Sequence, residues 1–319
     1  MDIFQLQYFL SAAITGNFTM AAAENNISQS SFSKHIMALE NEMGVKLFYR
    51  NRKSISLTPA GERLQKHAYA ILGSYKSMMD DMACYSQDDI VISIFSIPVF
   101  VQYQIPEIMS AFRALHPQVK FNVVESESSL VLQGLRRLEC DFAILRTDFL
   151  DEEQYNITPI NVDRLVAVVP ENHPLAKEKS ISVKRLKGEK LLLPTGKASL
   201  FDICMAVCKK AGFTPNVPYT VSGKPEISLK FVKNDGVIVL AMEQVMTYFD
   251  MPGCVVVPLE EEYLSTTGLV QLKSRETSSI TRKFMSFVKE WQKPISEKAG
   301  TEKKDEPFYF AWMLDFQSR

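Results

Sequence analysis

The most constraining feature of the chain is a close succession of helix signals at its N-terminus. Apolar residues recur every three or four positions from Ile3 to Ala13, which predicts an amphipathic helix that ends at Gly16. Thr19 is then expected to cap a short Ala-rich helix over residues 20–25, whose small side chains allow close packing. The two segments predict a compact helical pair.

A third helix is predicted to begin at Gln29, with Ser28 as its cap. Its apolar side chains share one face and should pack on a core: Phe32, Ile36, Leu39 and Met43. The opposite face carries Ser30, Lys34, Met37 and Asn41. A polar surface at the start of such a helix is typical of one that enters the major groove of DNA. A small helical bundle with a solvated face is the alternative.

A basic turn follows this helix. Residues 47–49 anchor it, Arg50, Arg52 and Lys53 lie on it, and the alternating residues 54–58 predict a hairpin strand. Such a wing neutralises phosphates or lies along a minor groove, which adds salt-dependent affinity without reading bases. Beside a recognition helix, the wing favours DNA binding over the plain bundle.

A long helix is predicted to start at Thr58 and Pro59, a cap followed by proline in the first turn. Its apolar residues alternate spacings of four and three: Leu64, Ala68, Ile71, Tyr75, Met78 and Met82. This is the period of about 3.5 residues of a two-stranded coiled coil. It predicts a dimerisation seam, and a helix that lies on the C-terminal half is the alternative. A dimer also suits DNA binding, because a two-fold pair of recognition helices reads a palindrome.

From Ile90 onward, short β-rich runs alternate with helices. Strands are predicted over 90–95, 121–125 and 142–145, with helices over 105–115 and 130–138. A second series has strands over 165–169, 191–193 and 219–221 and helices over 200–211 and 226–232. The βαβαβ order implies a parallel sheet covered by helices. The expected fold class is α/β in two lobes, behind an N-terminal all-α winged helix-turn-helix.

The composition sets wider limits. The chain has 319 residues, 46% of them hydrophobic, enough for several cores. Its net charge of −1 gives no general sign of nucleic-acid binding, so the DNA hypothesis is local. Five scattered cysteines without a CxxC pair argue against a disulfide framework or zinc. Without a signal-peptide pattern or a membrane-spanning run, we expect a cytoplasmic protein with no membrane partner.

The N-terminal residues resemble the signature of the LysR-type transcriptional regulators. The matching positions are Phe9, Gly16, Asn17, Phe18, Thr19, Ala21, Ala22, Ser28, Gln29, Ser31, Phe32, Ser33, Leu39, Glu40, Gly44, Leu47, Phe48, Arg50, Arg52, Leu57, Thr58, Ala60 and Gly61. A match over about sixty residues with rigid spacings is more specific than a short motif.

The resemblance implies a DNA interface. Its expected residues are Thr19, Ser28, Gln29, Ser30, Ser31, Ser33, Lys34, Arg50, Arg52 and Lys53. Most members of the family carry proline directly after the glutamine, where this chain has Ser30. Serine keeps a backbone donor that proline lacks, so a typical base preference is not assumed.

The resemblance also implies the order of domains. Residues 1–58 form the winged helix-turn-helix, 59–87 the dimerising linker helix, 88–294 a periplasmic-binding-protein-like effector domain and 295–319 a C-terminal extension. The first lobe comprises 88–160 and 266–294 and the second 161–265, with crossovers near Ile160 and Ser265. The expected partners are double-stranded DNA, a small effector and further protomers as dimers and tetramers, with RNA polymerase as a candidate. No cofactor and no enzymatic activity are expected.

The effector is expected between the lobes, at the carboxyl ends of the strands. The candidate lining residues are Ser96, Ile97, Pro98, Glu125, Ser126, Ser128, Arg146, Thr195 and Gly196. Hydroxyl groups and helix N-termini suit a carboxylate or phosphate, and Arg146 adds a fixed cation. Glu125 and Glu127 would oppose an anion, but a small anionic metabolite is the preferred effector.

Other interpretations are weighed against this one. Cys204 and Cys208 lie four residues apart on a predicted helix, which suggests the hypothesis of a redox switch. Buried core thiols are the simpler interpretation. Dispersed histidines and the lack of a catalytic motif argue against an enzyme. The closest rival is a two-lobed small-molecule-binding protein without a transcriptional role. After Pro294 we expect a charged linker over 296–306 and an apolar segment over 308–314 that needs a docking partner.

Overall fold

The computed structural model describes residues 1–51, 54–86 and 89–298. The N-terminal domain consists of α1 (Ile3–Thr15), α2 (Phe18–Glu24), α3 (Gln29–Met43), β1 (Phe48–Arg50) and β2 (Ile55–Leu57). The strands pair antiparallel, with Phe48 opposite Leu57 and Arg50 opposite Ile55. The predicted helices and hairpin are confirmed, while Arg52 and Lys53 lie outside the described residues.

The start of α2 differs from the prediction. Asn17 is its N-cap rather than Thr19, because the Asn17 carboxamide oxygen accepts the backbone N–H groups of Thr19 (2.8 Å) and Met20 (3.2 Å). Thr19 therefore lies inside the first turn. The cap predicted for α3 is confirmed, since Ser28 Oγ accepts the N–H of Ser31 (3.2 Å).

Helix α3 packs its apolar face on an aromatic core. Phe32, Ile36 and Leu39 are buried as predicted, but Met43 is 37% exposed and that prediction is wrong. Glu40 takes the inward position of the last turn instead, because its carboxylate accepts backbone N–H groups that follow the helix. The rings that meet in this core are Tyr8, Phe9, Phe18, Phe32 and Phe48.

Helix α4 (Pro59–Ser86) follows the hairpin directly, as predicted. The Thr58 hydroxyl accepts the N–H of Gly61 (3.0 Å) and donates to the Lys46 carbonyl (2.7 Å). Gly61 has no room for a side chain, since an added Cβ would lie 2.2 Å from the Leu47 carbonyl oxygen. The junction between hairpin and α4 is therefore tightly packed.

The faces of α4 meet different surroundings. Ala68, Tyr69 and Leu72 are buried. Gly73 brings the helix close to the C-terminal half of the chain, where an added Cβ would lie 2.8 Å from the Glu276 backbone nitrogen. Further members of the predicted seam are exposed: Ile71, Tyr75, Met78 and Met82. Helix α4 thus lies on the C-terminal half, as the alternative had it, and also presents an apolar stripe to solvent.

The first part of the C-terminal domain contains β3 (Ile90–Ser96), α5 (Ile105–Leu115), β4 (Val119–Glu125), α6 (Ser128–Arg136) and β5 (Phe142–Arg146). Strand β3 pairs parallel with both β4 and β5, which confirms the βαβαβ prediction. Helix α6 begins at Ser128 rather than Leu130. It ends before Leu138, because that residue adopts the left-handed region (φ +61°).

The second part contains β6 (Tyr155–Pro170), β7 (Lys190–Pro194), α7 (Ser199–Lys210), β8 (Asn216–Val221), α8 (Pro225–Asp235), β9 (Ile238–Met242), α9 (Glu243–Thr247), β10 (Cys254–Pro258), β11 (Leu264–Leu272) and α10 (Ser279–Lys298). The strand order is β4-β3-β5-β11-β6-β9-β7-β8, with β10 also on β6. Strand β7 pairs parallel with β8 and β9. The mixed α/β sheet agrees with the predicted class, although β9 was not predicted.

The lobes are joined by β6 and β11, which pair antiparallel. The first part of β6 pairs with β11 and its last part with β9 and β10. Strand β11 pairs in turn with β5, from Thr267 to Val270. Ile160 and Ser265, near which the crossovers were expected, lie within these two strands, so the lobes are connected by paired strands.

Helix α10 returns to the first lobe. The Phe284 ring lies 5.0 Å from that of Phe112 and 5.6 Å from that of Phe142. The helix runs to Lys298, into the segment predicted as a charged linker, and the rest of the C-terminal extension lies outside the described residues. No helix within the described ranges is long and apolar enough to cross a membrane.

Candidate nucleic-acid interface and ligand cleft

The first turns of α3 present an open polar surface. Gln29, Ser30 and Lys34 are exposed, and Ser31 and Ser33 are half-buried. Gln29 Nε2 donates to Ser33 Oγ (2.8 Å), which orients the carboxamide along the helix. Its oxygen is free of that bond, so Gln29 can still offer an acceptor and a second N–H to a base edge.

Ser30 stands where the resembling family carries proline. Its hydroxyl lies 3.1 Å from Ser28 Oγ, the atom that also caps the helix. A proline ring at this position would remove that hydroxyl. Ser28 and Thr19, the remaining candidates on this side, are both exposed.

A buried carboxylate anchors the wing to α3. The Glu40 side chain is 1% exposed, and its Oε1 accepts the N–H of Leu47 (3.0 Å). Its Oε2 accepts from Lys46 Nζ (3.0 Å) and Arg50 Nη2 (3.0 Å). The Arg50 guanidinium also lies over the Phe18 ring, 5.2 Å from the centroid. Arg50 is thus held by two protein contacts, and its 39% exposed side chain leaves other N–H groups facing solvent.

Glu40 is ionised in this setting. Burial raises the pKa of its carboxyl, but the Leu47 amide and the cations Lys46 and Arg50 outweigh burial and hold that pKa below its ordinary value. Glu40 was not among the residues predicted to have a functional role. Its signal was a charged residue directly after Leu39, on the side of α3 that faces the core.

The candidate cleft lies where β3, β5 and β7 end. Ser96 and Ile97 are buried, and the Ser96 hydroxyl donates to the Ile97 carbonyl (2.7 Å). The Ser126 N–H donates to the Ser96 carbonyl (2.9 Å). The remaining candidates differ in exposure, with Pro98 half-buried and Glu125 and Gly196 exposed. Because the Ser96 hydroxyl proton is already used, Ser96 can offer a ligand only an acceptor.

Hydrogen bonds connect the two lobes through several of the candidate cleft residues. The Thr195 hydroxyl donates to Glu127 Oε1 (2.5 Å), and hydrogen bonds from Ser222 and Thr195 hold the pKa of Glu127 below its ordinary value. The hydroxyls of Ser128 and Ser199 lie 3.0 Å apart, and the Ser199 N–H donates to Ser128 Oγ (3.1 Å). The hydroxyls of Ser128 and Thr195, predicted to bind a ligand, therefore bind the opposite lobe here.

Arg146 lies deeper, at the end of β5, and is 6% exposed. Its Nη1 donates a long hydrogen bond to the Tyr103 hydroxyl (3.4 Å), which itself donates to Asp163 Oδ2 (2.9 Å). In the described part of the chain the structure shows no ion pair to Arg146. Thr267 lies directly opposite Arg146 in β11, and its buried hydroxyl has no hydrogen-bond partner among the described residues.

Residues opposite each other in paired strands share a face of the sheet. The Arg146 guanidinium, which has no ion pair among the described residues, therefore lies beside the Thr267 hydroxyl, which has no hydrogen-bond partner there. Tyr103, Asp163 and Thr267 were not among the predicted residues. Their proximity to Arg146 depends on the pairing of distant strands, and no local pattern in the sequence signals it.

Comparisons with known families account for both halves of the chain. Residues 3–62 match the bacterial regulatory helix-turn-helix protein, lysR family, and residues 87–293 match the LysR substrate binding domain. The chain belongs to the LysR family. It is a LysR-type transcriptional regulator with a helix-turn-helix DNA-binding domain and an effector-binding domain.

Characterised LysR relatives support this assignment. The chain is 27% identical over 299 residues to the transcriptional dual regulator GltC of Bacillus subtilis, covering 90% of this chain and 96% of GltC. It is 28% identical over 292 residues to the hca operon transcriptional activator HcaR of Escherichia coli, covering 91% and 98%. These relatives are transcription regulators, so the rival interpretation, a binding protein without a transcriptional role, is not favoured.

Solved LysR structures share the fold. Full-length OxyR from Pseudomonas aeruginosa superposes with a TM-score of 0.59 at 21% identity, covering 91% of this chain and 98% of OxyR. Full-length CbnR in complex with its target DNA gives a TM-score of 0.55 at 20% identity, covering 91% and 99%.

Cys204 and Cys208 of this LysR protein are core residues. Cys204 and Cys208 are buried in α7, and the Cys204 thiol donates to the Leu240 carbonyl (3.7 Å). Burial raises the pKa of Cys204 strongly and that of Cys208 to about 11. A thiol becomes a reactive nucleophile only as thiolate, so this environment favours inert core thiols over a redox pair.

Proposed function

We propose that this regulator binds a roughly palindromic operator as a dimer, with the start of α3 from each protomer in a major groove. The observation that carries the proposal is the exposed polar surface of Gln29, Ser30 and Lys34 on a helix whose opposite face is buried. In this proposal Ser31 and Ser33 also contact base edges, and Thr19 and Ser28 contact the adjacent DNA backbone. The ordered cap at Ser28 fixes this surface before DNA arrives.

The wing supplies phosphate contacts in this proposal. Arg50 contacts Glu40 and Phe18 and has N–H groups still facing solvent, and Arg52 and Lys53 follow it in the sequence. A cation held by protein contacts loses less conformational freedom when it meets a phosphate. Contacts of this kind set register and salt dependence and carry no base preference.

Operator-binding measurements test both roles. Lys34→Ala should alter the preferred site, whereas Arg50→Ala should weaken binding to all sequences and reduce the slope of log Kd against log salt by about 1. Lys187→Ala, an exposed lysine of the second lobe, is the control. If Lys34→Ala and Arg50→Ala both match the control, the proposed docking geometry is refuted.

Dimerisation is assigned to the exposed stripe of α4. Ile71, Tyr75, Met78 and Met82 leave an apolar row in solvent, and covering such a row is favourable by about 25 cal/mol per Å². Dimers would pair further into tetramers and act in the cytoplasm, with RNA polymerase as a candidate partner on the promoter. Analytical ultracentrifugation of Met78→Glu should show monomers, while Lys66→Glu on an exposed position of the same helix should leave the dimer intact.

The effector is proposed to be a small anion bound against Arg146. A buried guanidinium without an ion pair is costly, and a carboxylate or phosphate would supply the missing charge. Thr267 would donate its unpaired hydroxyl beside it. Ser96, Ile97, Pro98, Glu125, Ser126, Ser128, Thr195 and Gly196 would form the walls, with Ser128 and Thr195 exchanging bonds to the other lobe for bonds to the ligand.

A thermal-shift panel of mono- and dicarboxylates, sugar phosphates and neutral analogues tests this effector class. A ligand that binds only the folded state at a concentration of about 100 times its Kd stabilises by roughly 2.7 kcal/mol. At least one anion should raise Tm in the wild type and fail to do so in Arg146→Gln. A shift produced by neutral analogues alone, or retained in full by Arg146→Gln, would refute the anion site.

A further inference from the structure

An ion pair joins the DNA-binding domain to the regulatory domain. Glu24, in the last turn of α2, has Oε1 2.7 Å from Nη2 of Arg137, the residue directly after α6. The side chains are 31% and 19% exposed, so the pair is partly shielded from solvent. Glu24 Oε2 also accepts from the Ser11 hydroxyl of α1 (3.3 Å). The end of α6 thus touches the helices that support the recognition helix.

The surroundings of this pair are loosely packed. A cavity of about 570 Å³ lies between the DNA-binding domain, α4 and the turn after α6, with Leu10, Met79 and Leu138 among its lining residues. Arg137 Nε is buried and has no hydrogen-bond partner among the described residues. The pocket separates the two domains beside the pair, so the Glu24–Arg137 ion pair is a direct polar contact across this part of their boundary.

The opposite end of α6 lies at the contact between the lobes. Ser128, its first residue, is bonded to Ser199, and Glu127 just before it accepts from Thr195. Between the ends, an added Cβ on Gly134 would lie 2.5 Å from the ring of Phe95, so the helix is seated closely on β3. A helix of this length spans about 13 Å and moves as a unit.

Strand β5, beside α6, also extends from the ligand cleft towards the N-terminal part of the molecule. Arg146 at its end faces the cleft, and Asp141, directly before its start, is fully buried. Asp141 binds Arg275 Nη2 (2.5 Å) and Lys76 Nζ of α4 (3.3 Å). Two adjacent elements therefore run from the cleft to the DNA-binding domain and its linker helix.

We propose that α6 transmits the state of the ligand cleft to the DNA-binding domain, with the Glu24–Arg137 ion pair as the contact that is made or released. When the bonds of Glu127 and Ser128 to the second lobe are exchanged for a ligand, α6 shifts and the ion pair opens. The DNA-binding domain is then free to change its position relative to the regulatory domain. This inference rests on the proposed effector cleft.

Hydrogen exchange of the full-length protein without DNA tests the connection. Arg137→Gln should speed exchange of the α2 amides about threefold, the effect of losing a half-exposed ion pair. Thr195→Val removes one of the hydrogen bonds between the lobes, that to Glu127, and should speed exchange of the same α2 amides. Arg185→Gln breaks an exposed ion pair to Glu178 in the second lobe and should leave α2 unchanged.

The combined variant separates a relay from independent effects. Since Thr195 acts through the ion pair, Thr195→Val with Arg137→Gln should match Arg137→Gln alone. The charge-reversed pair Glu24→Arg with Arg137→Glu should restore part of the wild-type protection, because Arg137 also lies 3.9 Å from Glu139, which would repel a carboxylate at position 137. Slower exchange in this double variant than in Arg137→Gln guards against a simple folding defect. Additive effects of the combined variant, or an unchanged α2 in Thr195→Val, would overturn the relay.

These exchange rates are measured without operator or ligand. A failure of operator binding would count against the proposed function, whereas the exchange pattern alone decides the relay.

Discussion

Replacing Glu40 by alanine should release the hairpin from α3. The change removes the acceptor of the buried Leu47 N–H (3.0 Å) and of the more distant Phe48 N–H (3.4 Å). A buried donor left without a partner costs about 1–3 kcal/mol. Lys46 and Arg50 are 70% and 39% exposed, so they stay solvated, and each lost ion pair adds at most about 1 kcal/mol. The expected local destabilisation is about 3 kcal/mol.

Hydrogen exchange of the hairpin amides measures this destabilisation in the intact chain. A loss of about 3 kcal/mol in the free energy of opening corresponds to exchange on the order of 100-fold faster. Glu40→Gln keeps one oxygen acceptor for the Leu47 amide but turns an NH₂ group towards cations. It should therefore cost about 1–2 kcal/mol, roughly a tenfold change in exchange.

A matched control lies on the same helix. Glu42 is 52% exposed and pairs with the amino terminus of Met1, so Glu42→Ala should change hairpin exchange less than about twofold. If Glu40→Ala behaves like Glu42→Ala, the buried carboxylate does not anchor the wing. An operator affinity that stays at the wild-type value while the hairpin is released would refute the role given to the wing.

Three further outcomes follow from the same structure. Folding lowers the pKa of Glu40, so its carboxylate stabilises the hairpin fully above the ordinary pKa of 4.5, and this stabilisation is lost as pH falls through the lower pKa of the folded state. The difference in hairpin exchange between wild type and Glu40→Gln should therefore shrink in that acid range. Gly61→Ala should destabilise the hairpin junction by about 1–3 kcal/mol, seen as a lower thermal midpoint, because its Cβ would meet the Leu47 carbonyl. Cys204 and Cys208 should resist alkylation at pH 8 in the native protein, and peroxide should leave operator affinity unchanged, because burial raises both thiol pKa values.

Each of these expectations has a contrary result. An acid-independent difference at Glu40 would mean that its charge does not stabilise the hairpin. A Gly61→Ala protein as stable as wild type would show that the backbone can move away at no cost. Alkylation of native Cys208 at the rate of the unfolded chain would restore the redox interpretation.

Features set by neighbours in sequence were predictable. The period of Phe32, Ile36 and Leu39 predicted the buried face of α3, and the β-rich runs between helical stretches predicted β3 to β5. The choice between neighbouring candidates was less predictable. Asn17 and Thr19 can both cap a helix, and the structure shows that Asn17 accepts the N–H groups of Thr19 and Met20. Strand β9 was not predicted; it is buried along its length, and a short apolar run of this kind can belong to a strand or to a buried helix.

Features set by distant parts of the chain were not predictable. The ion pair between Glu24 and Arg137, and the bond from Thr195 to Glu127, join elements whose separation depends on the whole fold. The cleft illustrates the consequence. Its hydroxyl groups were correctly recognised as polar groups near strand ends, but only the structure shows that Thr195 and Ser128 already bind the opposite lobe.

Buried charged residues of this chain differ in whether the protein itself supplies an ion pair or a short hydrogen bond. Those with such a partner serve the fold, whereas one without it is a candidate for ligand binding. Glu40 has two cations, Asp141 binds Arg275 and Lys76, and Asp163 accepts the Tyr103 hydroxyl and two backbone N–H groups. Among the buried charged residues that the structure describes, Arg146 alone lacks an ion pair or a short hydrogen bond. An uncompensated buried charge costs several kcal/mol, and one persists in a fold mainly where a ligand completes it. The same reasoning that makes Glu40 a structural anchor therefore makes Arg146 the residue to test first for effector binding.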